Sequence, residues 1–341
     1  MNGDTTQRPT QQPTRQDLID AACWFDSDKA GGPEMTAFKR EARWRQHRWA
    51  VDELAVAGFG SHAGRRTDTD AAPAQVENGT KLREADAQAG ANFLTPTIQA
   101  VAEERLAAKQ DHETLDTMRL RRDLLSSMPM AFNLFGEASL PENARAREEL
   151  AALFGVAGGG VSDIVFEWSP GRRSELYTRD RTAFDVALRL GARHEPRTVV
   201  GIETKYHEHC AKEKRPPADK PEAVRRYEDQ TQFLVDLAER SGVFAPGWQE
   251  KVLTTDLRQI WRDHLLALSM RNHPDQWAAQ TRYALLYPRR NVSFADAARR
   301  YAEVLSEGDT SFQARTVEDV LDAAFAHGGP TKDAFRRRYL W

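Results

Sequence analysis

Two short stretches of this chain carry side chains whose types and spacing suit hydrolysis of a charged ester: Asp185, and Glu203-Thr204-Lys205. Residues two apart on a β-strand share a face, so Glu203 and Lys205 project together while Ile202 and Thr204 point the other way. Gly201 lies on the Glu203 face and leaves room beside the carboxylate. On the preceding strand Asp185 sits between Ala183 and Ala187, with Phe184, Val186 and Leu188 on the opposite face. Taking 191–197 as the loop of an antiparallel hairpin sets Leu190 against Thr198, and the same register sets Asp185 against Glu203. Directly opposed residues have Cβ atoms about 4.5–5.5 Å apart, and like charges there are destabilising. A hard divalent ion such as Mg²⁺, with Mn²⁺ as a substitute, relieves that repulsion while keeping waters for chemistry. Lys205 is then placed to orient a water or to steady a developing anion. The same pattern also fits a solvated sheet face with a cross-strand ion pair. Glu203-Thr204-Lys205 is the one acid-x-Lys triplet in the sequence, which has ten lysines among its 48 basic residues.

The elements that must position these residues follow from periodicity. Alternation predicts strands over 161–168, 182–190 and 198–206, and a fourth over 281–287. Helices are predicted over 141–154, opened by Pro141, and over 221–240, opened by Pro221. Further helices are expected over 249–270, 294–305 and 316–326. The apolar run 130–135 reads as buried packing. Upstream, helical spacing appears over 35–57 and 94–126. Residues 1–18 are rich in Gln, Thr and Pro, and 60–80 are polar, so a disordered tail and a long surface loop are expected there. The sum is an α/β fold: a central mixed sheet of four strands or slightly more, flanked by helices, with an N-terminal helical extension. The chain divides into a mostly disordered tail (1–34), a helical region (35–129) and a core (130–341).

At this point the sequence resembles the PD-(D/E)XK nuclease superfamily, the restriction-endonuclease-like fold. Asp185 matches the first acid and Glu203-Thr204-Lys205 the triplet of the next strand. The order helix, three strands, helix, strand is similar to that family's core. The stretches LLSSMPMAFNLFG (124–136), RTAFDVAL (181–188), GIETKYHE (201–208) and IWRDHLLALSM (260–270) are similar to a group of restriction-endonuclease-like proteins. The resemblance implies a metal-dependent nuclease acting on DNA, with Asp185 and Glu203 as Mg²⁺ ligands and Lys205 as their catalytic partner. It also implies that an acid of the first core helix joins the site, for which Glu142, Glu148 and Glu149 are candidates. Phe184 stands where the pattern has its proline. A non-catalytic nucleic-acid-binding or assembly protein retaining the fold is the alternative.

Composition sets the bounds. The chain has 341 residues, 40% hydrophobic and 29% charged, with no run of 18 apolar residues to span a membrane. Residues 1–18 have no apolar signal segment, and two cysteines make no disulfide framework, so a cytoplasmic protein is expected. The formal charge of −3 argues against a simple basic nucleic-acid binder but is compatible with a local positive groove. His207, His209 and Cys210 lack the spacing of a zinc site. Lys212, Lys214, Arg215 and Lys220 form a basic loop after the triplet, and Arg225 and Arg226 follow it; they suit DNA phosphates or plain solvation equally. Phe132 and Phe135 read as core, His264 as a satisfied core histidine, and Gln259 and Arg262 as solvated. Gly158-Gly159-Gly160 lacks the Lys-Ser/Thr ending of a phosphate loop. Enzymes that cut both strands often pair, so a homodimer is compatible with the reading.

Overall fold

β-Branched and aromatic side chains recur along residues 161–204 and 280–316, and these stretches build one five-stranded sheet. The structure is a computed structural model that describes residues 12–25, 33–63, 75–156, 161–192 and 195–341. An N-terminal hairpin, β1 (Phe59–Ala63) and β2 (Gln75–Leu82), precedes the main sheet. The main sheet runs in order β3 (Val161–Trp168), β4 (Phe184–Ala192), β5 (Glu195–Thr204), β6 (Gln280–Tyr287) and β7 (Phe312–Thr316). Its first two pairings are antiparallel and its last two parallel. A parallel strand in the middle of such a sheet is covered on both faces and reads as continuous apolar sequence. Accordingly Val199, Val200 and Ile202 of β5 and Tyr283 to Leu286 of β6 are all fully buried.

Helices cover both faces. Ser127–Phe135, Ala144–Leu153, Val317–Ala324 and Pro330–Tyr339 pack on the side of Val186, Leu188, Val200 and Ile202. Pro221–Ser241, Arg258–Arg271 and Val292–Ala302 pack on the side of Val199, Tyr283 and Leu285. The Ser127–Phe135 helix explains the apolar run at 130–135. The Ser126 hydroxyl accepts from the Met128 N–H as its N-cap, and all nine residues are buried. No helix among the described residues is long and apolar enough to cross a membrane.

Several elements differ from their sequence reading, each for a physical reason. β7 is a fifth strand, short and half-buried throughout, so it shows no apolar alternation. The 60–80 stretch contributes β1 and β2 rather than a loop alone; its residues 64–74 lie outside the described set. Thr80 and Leu82 bury the end of β2, and the Gly79 N–H donates to Ala22 O. That contact holds part of the expected tail in place: residues 15–20 are helical, and Leu18 and Cys23 are buried. Residues 94–126 form two helices, Pro96–Ala107 and Thr117–Arg122, instead of one. The 249–270 helix is likewise broken, into Trp248–Val252 and Arg258–Arg271.

Candidate active site

The β4–β5 hairpin has the expected register, with Leu190 opposite Thr198 and Val186 opposite Ile202. One residue past Val186 the ladder changes character. The Asp185 carboxylate takes the place of a main-chain acceptor, its Oδ2 receiving both the Thr204 N–H and the Thr204 hydroxyl at 2.7 Å. Glu203 lies on the neighbouring strand and its Oε1 accepts from Lys205 Nζ at 2.6 Å. Lys205 itself is anchored by its N–H to Leu286 O at 2.7 Å. The structure therefore brings Asp185, Glu203 and Lys205 together. The space at Gly201 is not left open as expected: a Cβ there would meet the Phe184 ring at 2.4 Å. Phe184 has left the face of Val186 and Leu188 and packs with Tyr283 on the other side.

Asp185 and Glu203 line one cleft of about 410 Å³, with Lys205 tied to Glu203, and other residues share the cleft. Glu167 of β3 falls in the same row across the sheet, between the pairs Phe166–Val186 and Trp168–Phe184. Asp263 enters from the Arg258–Arg271 helix. Glu203, Glu167 and Asp263 are only 9%, 6% and 4% exposed, so four carboxyl groups with Asp185 meet where water screens them poorly. Burial, then the repulsion of Asp185 and Glu203, pushes the Glu167 carboxyl up to about 8. Burial and then Glu203 push Asp185 up to about 7, against the pull of Lys205 and Thr204. Asp263 is also driven well above the usual carboxylate range, by burial first and Glu203 next. Burial opposes the charge on Lys205, but Glu203, Glu208 and Asp185 outweigh it and keep its ammonium firmly protonated. This is the pattern of shifted groups that clefts built for chemistry display.

A family model described as the PD-(D/E)XK nuclease superfamily matches residues 27–341. The chain belongs to the PD-(D/E)XK nuclease superfamily. No curated protein and no solved structure matches it. Within the superfamily pattern the helix acids are a correction. Glu142, Glu148 and Glu149 are exposed and none lines the cleft. The additional carboxyls are Glu167 and Asp263, which the sequence reading missed. Gln259 and Arg262, expected to be solvated, also line the cleft, with Gln259 Nε2 3.4 Å from Glu203 Oε1 and Arg262 Nη1 paired to Glu213. The helical spacing of 259, 262 and 263 was the available signal.

The donor set is all oxygen, which suits a hard cation such as Mg²⁺. Asp263 Oδ2 is buried and has no hydrogen-bond partner, an expensive state for a carboxylate that a cation would relieve. As they stand, no three His, Cys, Asp or Glu side chains among the described residues enclose an ion. One oxygen of Asp185 is occupied by Thr204 and one of Glu203 by Lys205. Other groups singled out in the sequence have partners of their own. His207 Nδ1 lies 3.1 Å from Leu125 O, His209 contacts Lys39, and Cys210 Sγ donates to Asp256 O. His264 is buried between Tyr301 and Ser311, and Phe132 stacks on Phe166 in the core.

Proposed function

We propose that this superfamily member is a divalent-metal-dependent nuclease that hydrolyses phosphodiester bonds of DNA, as a restriction-type endonuclease working in the cytoplasm. The single observation supporting it is that Asp185 and Glu203 of adjoining strands line one cleft, with Lys205 bonded to Glu203. Asp185 and Glu203 would hold Mg²⁺, or Mn²⁺ in its place. A divalent cation there supplies charge neutralisation at the phosphate and activation of water. Lys205, protonated and tied to Glu203, holds the attacking water in line and offsets the charge that develops on the phosphoryl oxygens. Gln259 orients Glu203, and Arg119 and Arg181 on the cleft wall suit the flanking phosphates. The exposed Lys212, Lys214, Arg215 and Lys220 extend that basic surface. A homodimer would pair two such clefts for double-strand cutting.

The test is cleavage of plasmid and oligonucleotide DNA with Mg²⁺, by wild type, Asp185→Ala and Lys205→Ala. Both variants are expected to lose at least about 100-fold in rate; wild-type rates in both would refute the assignment. One observation favours the other reading, a nucleic-acid-binding protein without catalysis: the Asp185 and Glu203 oxygens already hydrogen-bonded to Thr204 and Lys205. Calorimetric titration separates the two, since that protein would bind DNA yet take up no Mg²⁺ or Mn²⁺ at millimolar concentration.

A further inference from the structure

Glu167 lines the cleft from a bent stretch of main chain. Its φ is +50°, in the left-handed region that a non-glycine residue keeps only when its surroundings fix it there. Those surroundings are specific. Arg105 Nε donates to Phe166 O at 2.8 Å, and Arg105 Nη2 donates to Glu167 O at 3.2 Å. Arg172 Nη2 donates to the same carbonyl at 3.1 Å. Glu113 then ties the two guanidinium groups to each other, accepting from Arg105 Nη2 at 2.7 Å and from Arg172 Nη1 at 3.2 Å. The Arg105, Glu113 and Arg172 side chains are 14%, 12% and 4% exposed, so the arrangement is enclosed and rigid. Two stretches far apart in sequence, 105–113 and 166–172, thus meet around one peptide.

Nothing in the hydrogen bonding uses the carboxyl of this bent residue. The Glu167 carboxyl has no hydrogen-bond partner among the described residues, and its neighbours across the sheet are Asp185 and Glu203. The Arg258–Arg271 helix repeats the pattern: Asp263 is 4% exposed, lines the same cleft, and leaves Oδ2 without a partner. A buried Asp263 oxygen without a partner and a Glu167 carboxyl without a hydrogen bond, both facing one cleft, call for a cation rather than for an internal network.

We infer that Glu167 is a cation-holding carboxylate of this site, and that Arg105, Glu113 and Arg172 are positioning residues that keep it there by fixing its main chain. The inference rests on the nuclease reading for the identity of the cation. It replaces the expected helix acid with one from a bent strand.

The experiment is calorimetric titration of the full chain with Mn²⁺ alone, without nucleic acid, alongside its melting temperature. Glu167→Gln is expected to weaken Mn²⁺ binding tenfold or more, and Glu113→Gln three- to tenfold. The double variant should bind as Glu167→Gln does, because Glu113 acts only through that carboxyl. Should Glu113→Gln not fold, Arg105→Lys takes its place, keeping the charge but losing the reach to two carbonyls. Wild-type Mn²⁺ affinity in Glu167→Gln, with binding abolished in Asp185→Asn, overturns the inference and leaves the nuclease reading standing. Multiplying losses in the double variant overturn the positioning role. A wild-type chain that takes up no Mn²⁺ overturns both readings together.

Discussion

Asp185 is held where its charge is unwelcome, and that has a consequence for pH. In the ion-free protein the Asp185 and Glu167 carboxyls are raised to about 7 and about 8 by burial first, then Asp185 by Glu203 and Glu167 by Asp185 and Glu203. The unfolded chain releases these protons near pH 4. Between those limits the folded chain therefore binds more protons than the unfolded one, and stability falls as pH rises from about 5 to 8. Asp185→Asn keeps an acceptor for Thr204 while removing one repelling charge. It is expected to melt a few degrees above wild type at pH 8 without divalent ion, a gain on the order of 1–3 kcal/mol, and to converge with it near pH 5. Thermal melts across that range check it; equal slopes would mean the carboxylates do not crowd one another. Asp185, Glu203 and Lys205 were legible because side-chain alternation and hairpin register are both readable from sequence. Glu167 was not: alternation along VSDIVFEW puts it on the face of Asp185, but no motif marks it, and neither the pairing of β3 with β4 nor the left-handed turn held by two arginines has a local signature.

At the scale of elements, strands β3 to β6 could be read because burial sets their apolar pattern, alternating along β3 and near-continuous along β5 and β6. β7 could not, since none of its five residues is fully buried. The Ser127–Phe135 helix has no polar face, so it shows no helical period. The Arg258–Arg271 helix was legible as an element but not in its orientation, because Asp263 and His264 are adjacent and both buried. His264 fastens that helix to Tyr301 of Val292–Ala302 and to Ser311 beside β7, at 3.0 and 2.8 Å. Burial, with Arg271 adding to it, pulls this imidazole down to about 3. A depressed folded value contributes stability that is complete above about pH 6.5 and lost as pH falls toward 3. His264→Gln keeps polar atoms near Tyr301 and Ser311 but has no proton to take up. Its melting temperature is expected to lie below wild type at pH 7.5 yet to fall less between pH 6.5 and 4. Parallel curves would show that the histidine is not held neutral.

Across the whole molecule, the segments read as an N-terminal extension are stitched to the last helix. Arg338 is fully buried, donating through Nε to Gln46 Oε1 and through its terminal nitrogens to Asn92 O and Oδ1. Its guanidinium lies 4.1 Å from the Trp49 ring centroid. Gln46 in turn donates to Arg338 O and to the hydroxyl of Tyr206, one residue after Lys205. Asn133 of the Ser127–Phe135 helix donates to the Tyr339 hydroxyl and to Asn92 O. None of this was visible in the sequence, because contacts between positions 46 and 338 have no local signature. A buried acceptor left without its donor costs about 1–3 kcal/mol, and Arg338→Met orphans two, Gln46 Oε1 and Asn92 Oδ1, while Asn92 O keeps its bond from Asn133. The variant is therefore expected to lose at least about 2 kcal/mol in urea denaturation. Because the network joins the Pro33–Asp52 helix, the site strand and the C-terminus, wild type should unfold in one transition by both tryptophan fluorescence and circular dichroism. Arg338→Met should keep that single transition at lower urea. Two separated transitions in wild type would instead make the N-terminal region an independent unit, and would leave the position of Tyr206 beside the site unconnected to Arg338.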